Sequence, residues 1–173
     1  MKKTLVINIE RCVGCHSCEF ACAVAHSATK DPYAIIRVGE RPGSRVFVEA
    51  YRGKAIPVHC NHCEEAACVL ACPTGAVHRK EEKGPVLVDV TRCIGCRMCV
   101  QACPFGVMTL SSDGKGALKC DLCIERLAEG IEPACVIACP TKAVVFSSEE
   151  EANRAKRRKV AYMIVSAQQE EIK

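Results

Sequence analysis

Cys93-Ile-Gly-Cys96-Arg-Met-Cys99-Val-Gln-Ala-Cys103-Pro104 spaces its cysteines as C-x2-C-x2-C-x3-C-P. Three thiolates two residues apart can wrap around three corners of an iron–sulfur cube, and the fourth reaches a neighbouring cube. Gly95 lets the backbone pass close to inorganic sulfur with no side chain in the way. Pro104 stops the short helix that presents Cys103, because its missing N–H suits a turn rather than a ladder.

Three further quartets vary this run. Cys12, Cys15, Cys18 and Cys22 repeat the x2, x2, x3 spacing, with Gly14 in the loop and Ala23 where a proline would stand. Cys60, Cys63, Cys68 and Cys72 are spaced x2, x4, x3 and precede Pro73. Cys120, Cys123, Cys135 and Cys139 are spaced x2, x11, x3 and precede Pro140. All sixteen cysteines fall into these quartets, with none left over.

Competing readings fail on this pattern. A disulfide framework belongs to secreted chains, and residues 1–10 do not form a secretory signal, since their apolar run breaks at Asn8 and leads straight into ligands. Structural zinc needs two CxxC pairs and four ligands, whereas triple runs trailed by Cys-Pro suit a cube. Scattered buried thiols would not be so regularly spaced. The cofactors expected are four [4Fe–4S] clusters.

Composition agrees. The chain has 173 residues, no tryptophan and only 4% aromatics, too few large side chains to fill a core of this size. Clusters can fill it, since metal binding is then coupled to folding, and the iron-free chain should be largely unfolded. The formal charge of +4 treats cysteine as neutral. Four cubes of roughly −2 each bring the loaded protein to about −4, because the metal site's own charge counts. Basic residues are dispersed and stacking aromatics are missing, so nucleic acid is not an expected partner. No apolar stretch is long enough for a transmembrane segment.

Between the quartets the chain reads as short elements. Residues 4–9 form a strand. The insert 23–59 begins loop-like, with Pro32 and Pro42, and its β-branched stretches 35–38 and 46–51 read as strands. Residues 76–79 and 86–90 flank a hairpin turn, and 107–110 and 117–119 flank a second. Residues 143–146 make a last strand. Each unit runs strand, cysteine run, short helix, strand, and the chain holds four. The tail, 147–173, has no cysteine. Ser148 followed by three glutamates reads as a helix start, and Ala152, Ala155, Val160, Met163, Ile164 and Ala167 recur at helical spacing beside the basic run 156–159. Such a helix either packs on its own domain or docks a partner subunit. His16 and His62 lie inside the ligand runs, His26 and His59 just outside; with every quartet complete they read as supporting residues, and His16 or His62 could tune a potential by donating to sulfur.

The order of the four runs over residues 3–146 resembles the four-cluster iron–sulfur subunits of the dimethyl sulfoxide reductase and formate dehydrogenase type. The lead-in Ile9-Glu-Arg-Cys12-Val-Gly-Cys15-His-Ser-Cys18-Glu-Phe-Ala-Cys22-Ala-Val-Ala-His26 and the run Cys60-Asn-His-Cys63-Glu-Glu-Ala-Ala-Cys68 look most like the small subunit that accompanies nickel carbon monoxide dehydrogenase. The resemblance implies an α+β fold of two fused bacterial-type two-[4Fe–4S] ferredoxin modules, with short hairpins and helices and a C-terminal helix. It also implies a pairing. Cluster 1 takes Cys12, Cys15, Cys18 and Cys139; cluster 2 takes Cys60, Cys63, Cys68 and Cys103. Cluster 3 takes Cys93, Cys96, Cys99 and Cys72; cluster 4 takes Cys120, Cys123, Cys135 and Cys22. The outer module is then 1–59 with 105–146, including the insert 23–59; the inner module is 60–104, and the tail is 147–173. Ala23 departs from the usual proline and predicts a less rigid loop beside cluster 4. Some relatives hold a three-iron cluster where tryptophan replaces a cysteine; no such replacement occurs here. The long C-terminal membrane helix of some relatives is not in this sequence, which suggests a soluble subunit.

These features point to an electron-transfer subunit and not a catalyst: no nucleotide-binding glycine motif, flavin fingerprint or nucleophile–base pair stands out. The resemblance suggests carbon monoxide dehydrogenase as catalytic donor and a hydrogenase or flavin-dependent NAD(P) reductase as acceptor. The alternative is the iron–sulfur subunit of an aldehyde, formate or molybdopterin oxidoreductase or of a hydrogenase. The expected location is cytoplasmic, peripheral to the membrane through partners. A zinc scaffold or a cluster-based sensor is the reading from another class, but a sensor needs an output domain.

Overall fold

A computed structural model describes residues 3–79, 81–82 and 84–170, with residues 167–170 described by their backbone alone. In chain order the elements are β1 (Lys3–Ile7), a 3-10 turn (Ile9–Arg11), α1 (Ser17–Ala25), α2 (Pro32–Val38), β2 (Val46–Tyr51) and β3 (Lys54–His59). Then come α3 (Ala67–Leu70), β4 (Val77–Arg79), β5 (Val86–Val88), α4 (Met98–Ala102), β6 (Thr109–Leu110) and β7 (Ala117–Leu118). The last are α5 (Ile124–Ala128), α6 (Ala134–Ile137), β8 (Val144–Ser148) and α7 (Glu149–Glu170). The strands form antiparallel pairs only: β1 with β8, β2 with β3, β4 with β5 and β6 with β7. The first pair runs from Lys3 opposite Ser148 to Ile7 opposite Val144, clasping the N-terminal strand to the strand after the last quartet.

Local chemistry explains most of these elements. β2 and β3 are joined by Arg52 and Gly53, both at positive φ (49° and 74°), the two-residue turn whose twist suits a hairpin. Ser148 Oγ accepts from the Glu151 N–H at 3.3 Å while the Glu151 carboxylate accepts from the Ser148 N–H at 2.9 Å, a reciprocal cap that starts α7.

Residues 35–38, expected as strand, are helical instead. Asp31 Oδ1 accepts the Ala34 N–H at 2.7 Å, Pro32 occupies the first turn, and Gly39 ends the helix at φ 68°. Capping at both ends outweighs the weak helix preference of Ile35, Ile36 and Val38. The loop expected after Cys22 is also absent. Without a proline, α1 runs through Ala23 to Ala25, whereas α3, α4 and α6 stop just short of Cys72-Pro73, Cys103-Pro104 and Cys139-Pro140. The first strand ends at Ile7, and the last extends to Ser148, two residues into the expected tail. Of the expected features, Lys83 in the first hairpin turn, the Ala167 side chain and residues 171–173 lie outside the described residues.

Two cores hold these pieces together. One gathers Leu5, Val46, Val107, Leu122, Val136 and Val144 around Cys18, Cys22, Cys60, Cys120, Cys135 and Cys139. The other gathers Ala66, Val77, Val86, Met108 and Ala117 around Cys99, with Cys68, Cys72 and Cys93 half-buried against it. Cys103 packs against both. The largest fully buried side chains are Val77, Val86, Val107 and Val144, followed by Pro133.

Candidate metal centres

The four quartets share one backbone design. The third position of the first C-x-x-C in each quartet has positive φ: Gly14 at 67°, His62 at 49°, Gly95 at 68° and Leu122 at 62°. That turn aims two thiols to one side. Three of the trailing Cys-Pro turns also match. The N–H of Gly75, Gly106 and Lys142 donates to the carbonyl of Cys72, Cys103 and Cys139, each at 3.3 Å, and each donor again has positive φ.

The side chains converge across quartets. Cys12, Cys15 and Cys18 line one small cavity together with Cys139. Cys60, Cys63 and Cys68 line another together with Cys103. Burial pushes the Cys99 thiol up, and the neighbouring sulfurs of Cys93, Cys72 and Cys96 push it further. Burial does the same to Cys135, reinforced by Cys120, Cys22 and Cys123. Burial also lifts Cys120 to about 12 and Cys18 to about 11. Bringing such sulfurs together as thiolates is costly unless a cation enters among them. All sixteen are free thiols, eight of them buried. A purely thiol donor set is soft and suits iron–sulfur clusters.

Backbone N–H groups point at several of these sulfurs. His62 N donates to Cys60 Sγ at 3.4 Å and Leu122 N to Cys120 Sγ at 3.5 Å. Val77 N donates to Cys72 Sγ at 3.4 Å and Ala143 N to Cys139 Sγ at 3.1 Å. Against the opposing effect of burial, these contacts and the Thr74 and Thr141 hydroxyls hold the Cys72 and Cys139 thiols below the ordinary value. Cys22 lies inside a helix and has no such trailing loop. Its donor is Arg45 N, at 3.3 Å, delivered by the insert. Arg45 is held in turn by its ion pair to Asp121 at 2.5 Å. Asp121 also accepts from Cys123 N at 2.8 Å and His26 Nε2 at 3.1 Å. Sequence reading missed Arg45 and Asp121; the Cys-Pro-Thr repeat at residues 72–74 and 139–141 was a readable signal for the two threonines.

His26 donates to Cys22 O at 2.8 Å through Nδ1 and to Asp121 through Nε2, and its ligand atom lies within 4.8 Å of those of Asp121 and Cys123. Burial opposes its charge, but Asp121 and the sulfurs of Cys123 and Cys22 outweigh that and push it up to about 12. His16 pairs with Glu19 at 2.6 Å rather than with sulfur. His62 is buried, and its Nδ1 accepts from Val86 N at 3.1 Å. His59 contacts Cys60 O at 3.0 Å.

Gly95 has a sharper reason than the one expected from sequence. A Cβ there would lie 2.7 Å from Gly114 O, in the β6–β7 turn, and the residue sits at φ 68°. Gly95→Ala should add a left-handed penalty of roughly 1–2 kcal/mol to a backbone clash. The variant should lose the cube at Cys93, Cys96 and Cys99, and iron should fall by about a quarter, one cube in four. Iron quantitation on anaerobically loaded protein checks this, with Gly53→Ala as comparison, since its φ is 74° and its surroundings are open.

A model for a 4Fe-4S dicluster domain matches residues 52–149. The chain belongs to the 4Fe-4S dicluster family. Relatives match over most of the chain. An iron-sulfur protein of Rhodospirillum rubrum is 42% identical over 158 residues, covering 83% of this chain and 82% of the relative. The thiosulfate reductase electron transfer subunit PhsB of Salmonella typhi is 42% identical over 143 residues, covering 82% and 73%. One chain of the anaerobic dimethyl sulfoxide reductase of Escherichia coli is 38% identical over 151 residues, covering 84% and 73%. The cofactors of this dicluster protein are therefore [4Fe–4S] clusters, and sixteen cysteines at four per cube accommodate four. When bound, each cluster carries single electrons. The chain supplies the thiols that would hold them and the N–H donors that would stabilise thiolate sulfur.

Proposed function

We propose that this chain is the electron-transfer subunit of an oxidoreductase complex of the dimethyl sulfoxide or thiosulfate reductase kind, relaying single electrons through four clusters between a catalytic subunit and a second redox partner. The observation that carries the reading is the convergence of thiols from separate quartets into shared cavities. A relay needs its clusters interlocked, and exchanging one cysteine between partner runs achieves that. Components of two such reductases are among the relatives, which favours this reading over a carbon monoxide dehydrogenase donor. The narrower donor rests on the lead-in residues 9–26 and the run 60–68 alone.

The ligand sets in this reading are Cys12, Cys15, Cys18 with Cys139; Cys60, Cys63, Cys68 with Cys103; Cys93, Cys96, Cys99 with Cys72; and Cys120, Cys123, Cys135 with Cys22. The shared cavities support the first two sets and the mutual electrostatics of the thiols support the others. The two hydrophobic cores follow the outer and inner modules only in part: Met108 and Ala117, from 105–146, pack in the second core, Cys60, from 60–104, packs in the first, and Cys103 touches both.

In this reading α7 docks the catalytic subunit. Its root is capped by Ser148, and Lys159 pairs with Glu10, but Val160, Tyr162, Met163, Ile164 and Val165 are all more than half exposed. No helix among the described residues is long and apolar enough to cross a membrane. Truncation after Ser148 keeps the β1–β8 clasp and every cysteine, so iron content and chemical reducibility should not change. Reduction driven by the catalytic subunit should slow at least about tenfold, since losing about 1.4 kcal/mol of contact weakens binding by that factor. Charge reversal at Arg157 and Arg158 should weaken coupling in a salt-dependent way, as exposed charges are screened over about 10 Å at 0.1 M. Equal rates for full-length and truncated protein at equal iron would remove α7 from the interface.

A further inference from the structure

Lys119 is only 3% exposed, in a chain where the other lysines described lie at or near the surface. It follows β7 and precedes Cys120. Its Nζ donates to Cys120 O at 2.6 Å and to Val86 O. Val86 belongs to the wall of the cavity lined by Cys60, Cys63, Cys68 and Cys103. Two carbonyls thus hold the amine between that cavity and a cysteine of the last quartet. Burial pushes the Cys68 and Cys120 thiols up, and the charge of Lys119 pulls both back. Placing an ammonium here is costly in a hydrophobic core and is compensated only where anions lie close on both sides. A cube with four thiolates carries roughly −2, and one-electron reduction adds a further negative charge.

We propose that Lys119 is a positioning residue for electron transfer, a fixed buried cation that raises the reduction potentials of the two clusters flanking it, the one at Cys60, Cys63 and Cys68 and the one that includes Cys120. The attraction grows as each cube takes its electron from the complex's donor, so the reduced state gains more than the oxidised state. The flanking clusters become the sites where an electron rests between the ends of the relay. The inference deepens the proposed function and rests on its ligand sets.

The test is anaerobic potentiometry of the fully loaded chain, each cluster followed by its electron paramagnetic resonance signal. Cys63→Ser and Cys123→Ser identify the two signals in question, by their loss. Lys119→Met, similar in length and neutral, should lower both midpoints by a tenfold change in the one-electron equilibrium, which is 59 mV. The other two should move less, and the shift should persist at high salt because buried charges are poorly screened. Lys119→Arg should keep the native midpoints. Should the Met variant lose iron, Lys119→Gln keeps a donor without the charge and must show the same fall. Unchanged midpoints in a neutral variant of full iron content would overturn the proposal. The ligand sets are judged separately: Cys63→Ser and Cys103→Ser must abolish the same signal. A shift on the signal lost in Cys63→Ser supports Lys119 whichever fourth cysteine completes that cube.

Discussion

Cys22→Ser should remove the cube held by Cys120, Cys123 and Cys135 and spare the one held by Cys12, Cys15 and Cys18, although Cys22 follows Cys18 by a single helical turn. Both residues are buried on α1, yet they serve different neighbours. Cys18 lines a cavity with Cys139, whereas Cys22 acts electrostatically on both Cys120 and Cys135, and more strongly than Cys18 on the latter. In the proposed ligand sets α6 and the turn after it make the reciprocal exchange, with Cys135 in one set and Cys139 in the other. Iron should fall by about a quarter, one cube in four. Cys139→Ser should cause a loss of the same size at the opposite site. The check is iron content together with the resonance signals of both variants. The same cube lost in both variants, or loss of the N-terminal cube on replacing Cys22, would refute the exchange.

Stripping the iron should abolish the folded state altogether. The strands make only two-stranded ladders, a form marginal by itself in water. Apart from α7 the helices have nine residues or fewer, too short to persist alone. The deepest side chains are mostly valines, and eight cysteines occupy core positions where larger residues would otherwise pack. Net domain stability is only about 5–15 kcal/mol, and one structural metal site can contribute as much. Chelation under reducing conditions should therefore erase the cooperative thermal transition seen by circular dichroism, leaving at most the fraying helicity of α7. A sigmoidal melt in iron-free protein would contradict this, and would mean that the valine cores suffice.

Some of this was legible in the residues and some was not. The quartets, their tight turns and the Cys-Pro stops follow from spacing and from glycine and proline chemistry, which act within a few residues. The strand at β2 and the cap at Ser148 were readable for the same reason. Residues 35–38 mislead because their β-branched side chains suggest a strand, while the flanking Asp31, Pro32 and Gly39 impose a helix. Ala23 suggests a looser chain, whereas losing proline lets the helix continue and leaves Cys22 dependent on Arg45. That contact, like the β1–β8 clasp and the burial of Lys119, depends on pairing between distant segments, which local pattern does not encode. Sequence points to His16 or His62 as a histidine donor to sulfur; His16 pairs with Glu19 instead, and the His26 ring, not singled out for that role, lies 3.7 Å from Cys22 Sγ. The backbone N–H of His62 donates to Cys60 sulfur.

The central claim is that sixteen thiols hold four single-electron centres in one relay. It is tested most directly by anaerobic reductive titration of the purified full chain, with iron, zinc and integrated spin measured on the same sample. The prediction is about sixteen irons and four electrons per chain, four irons and one electron per cube, with negligible zinc and no three-iron signal before oxidation. A colourless protein containing zinc, or one that takes up fewer than four electrons at full iron content, would contradict it.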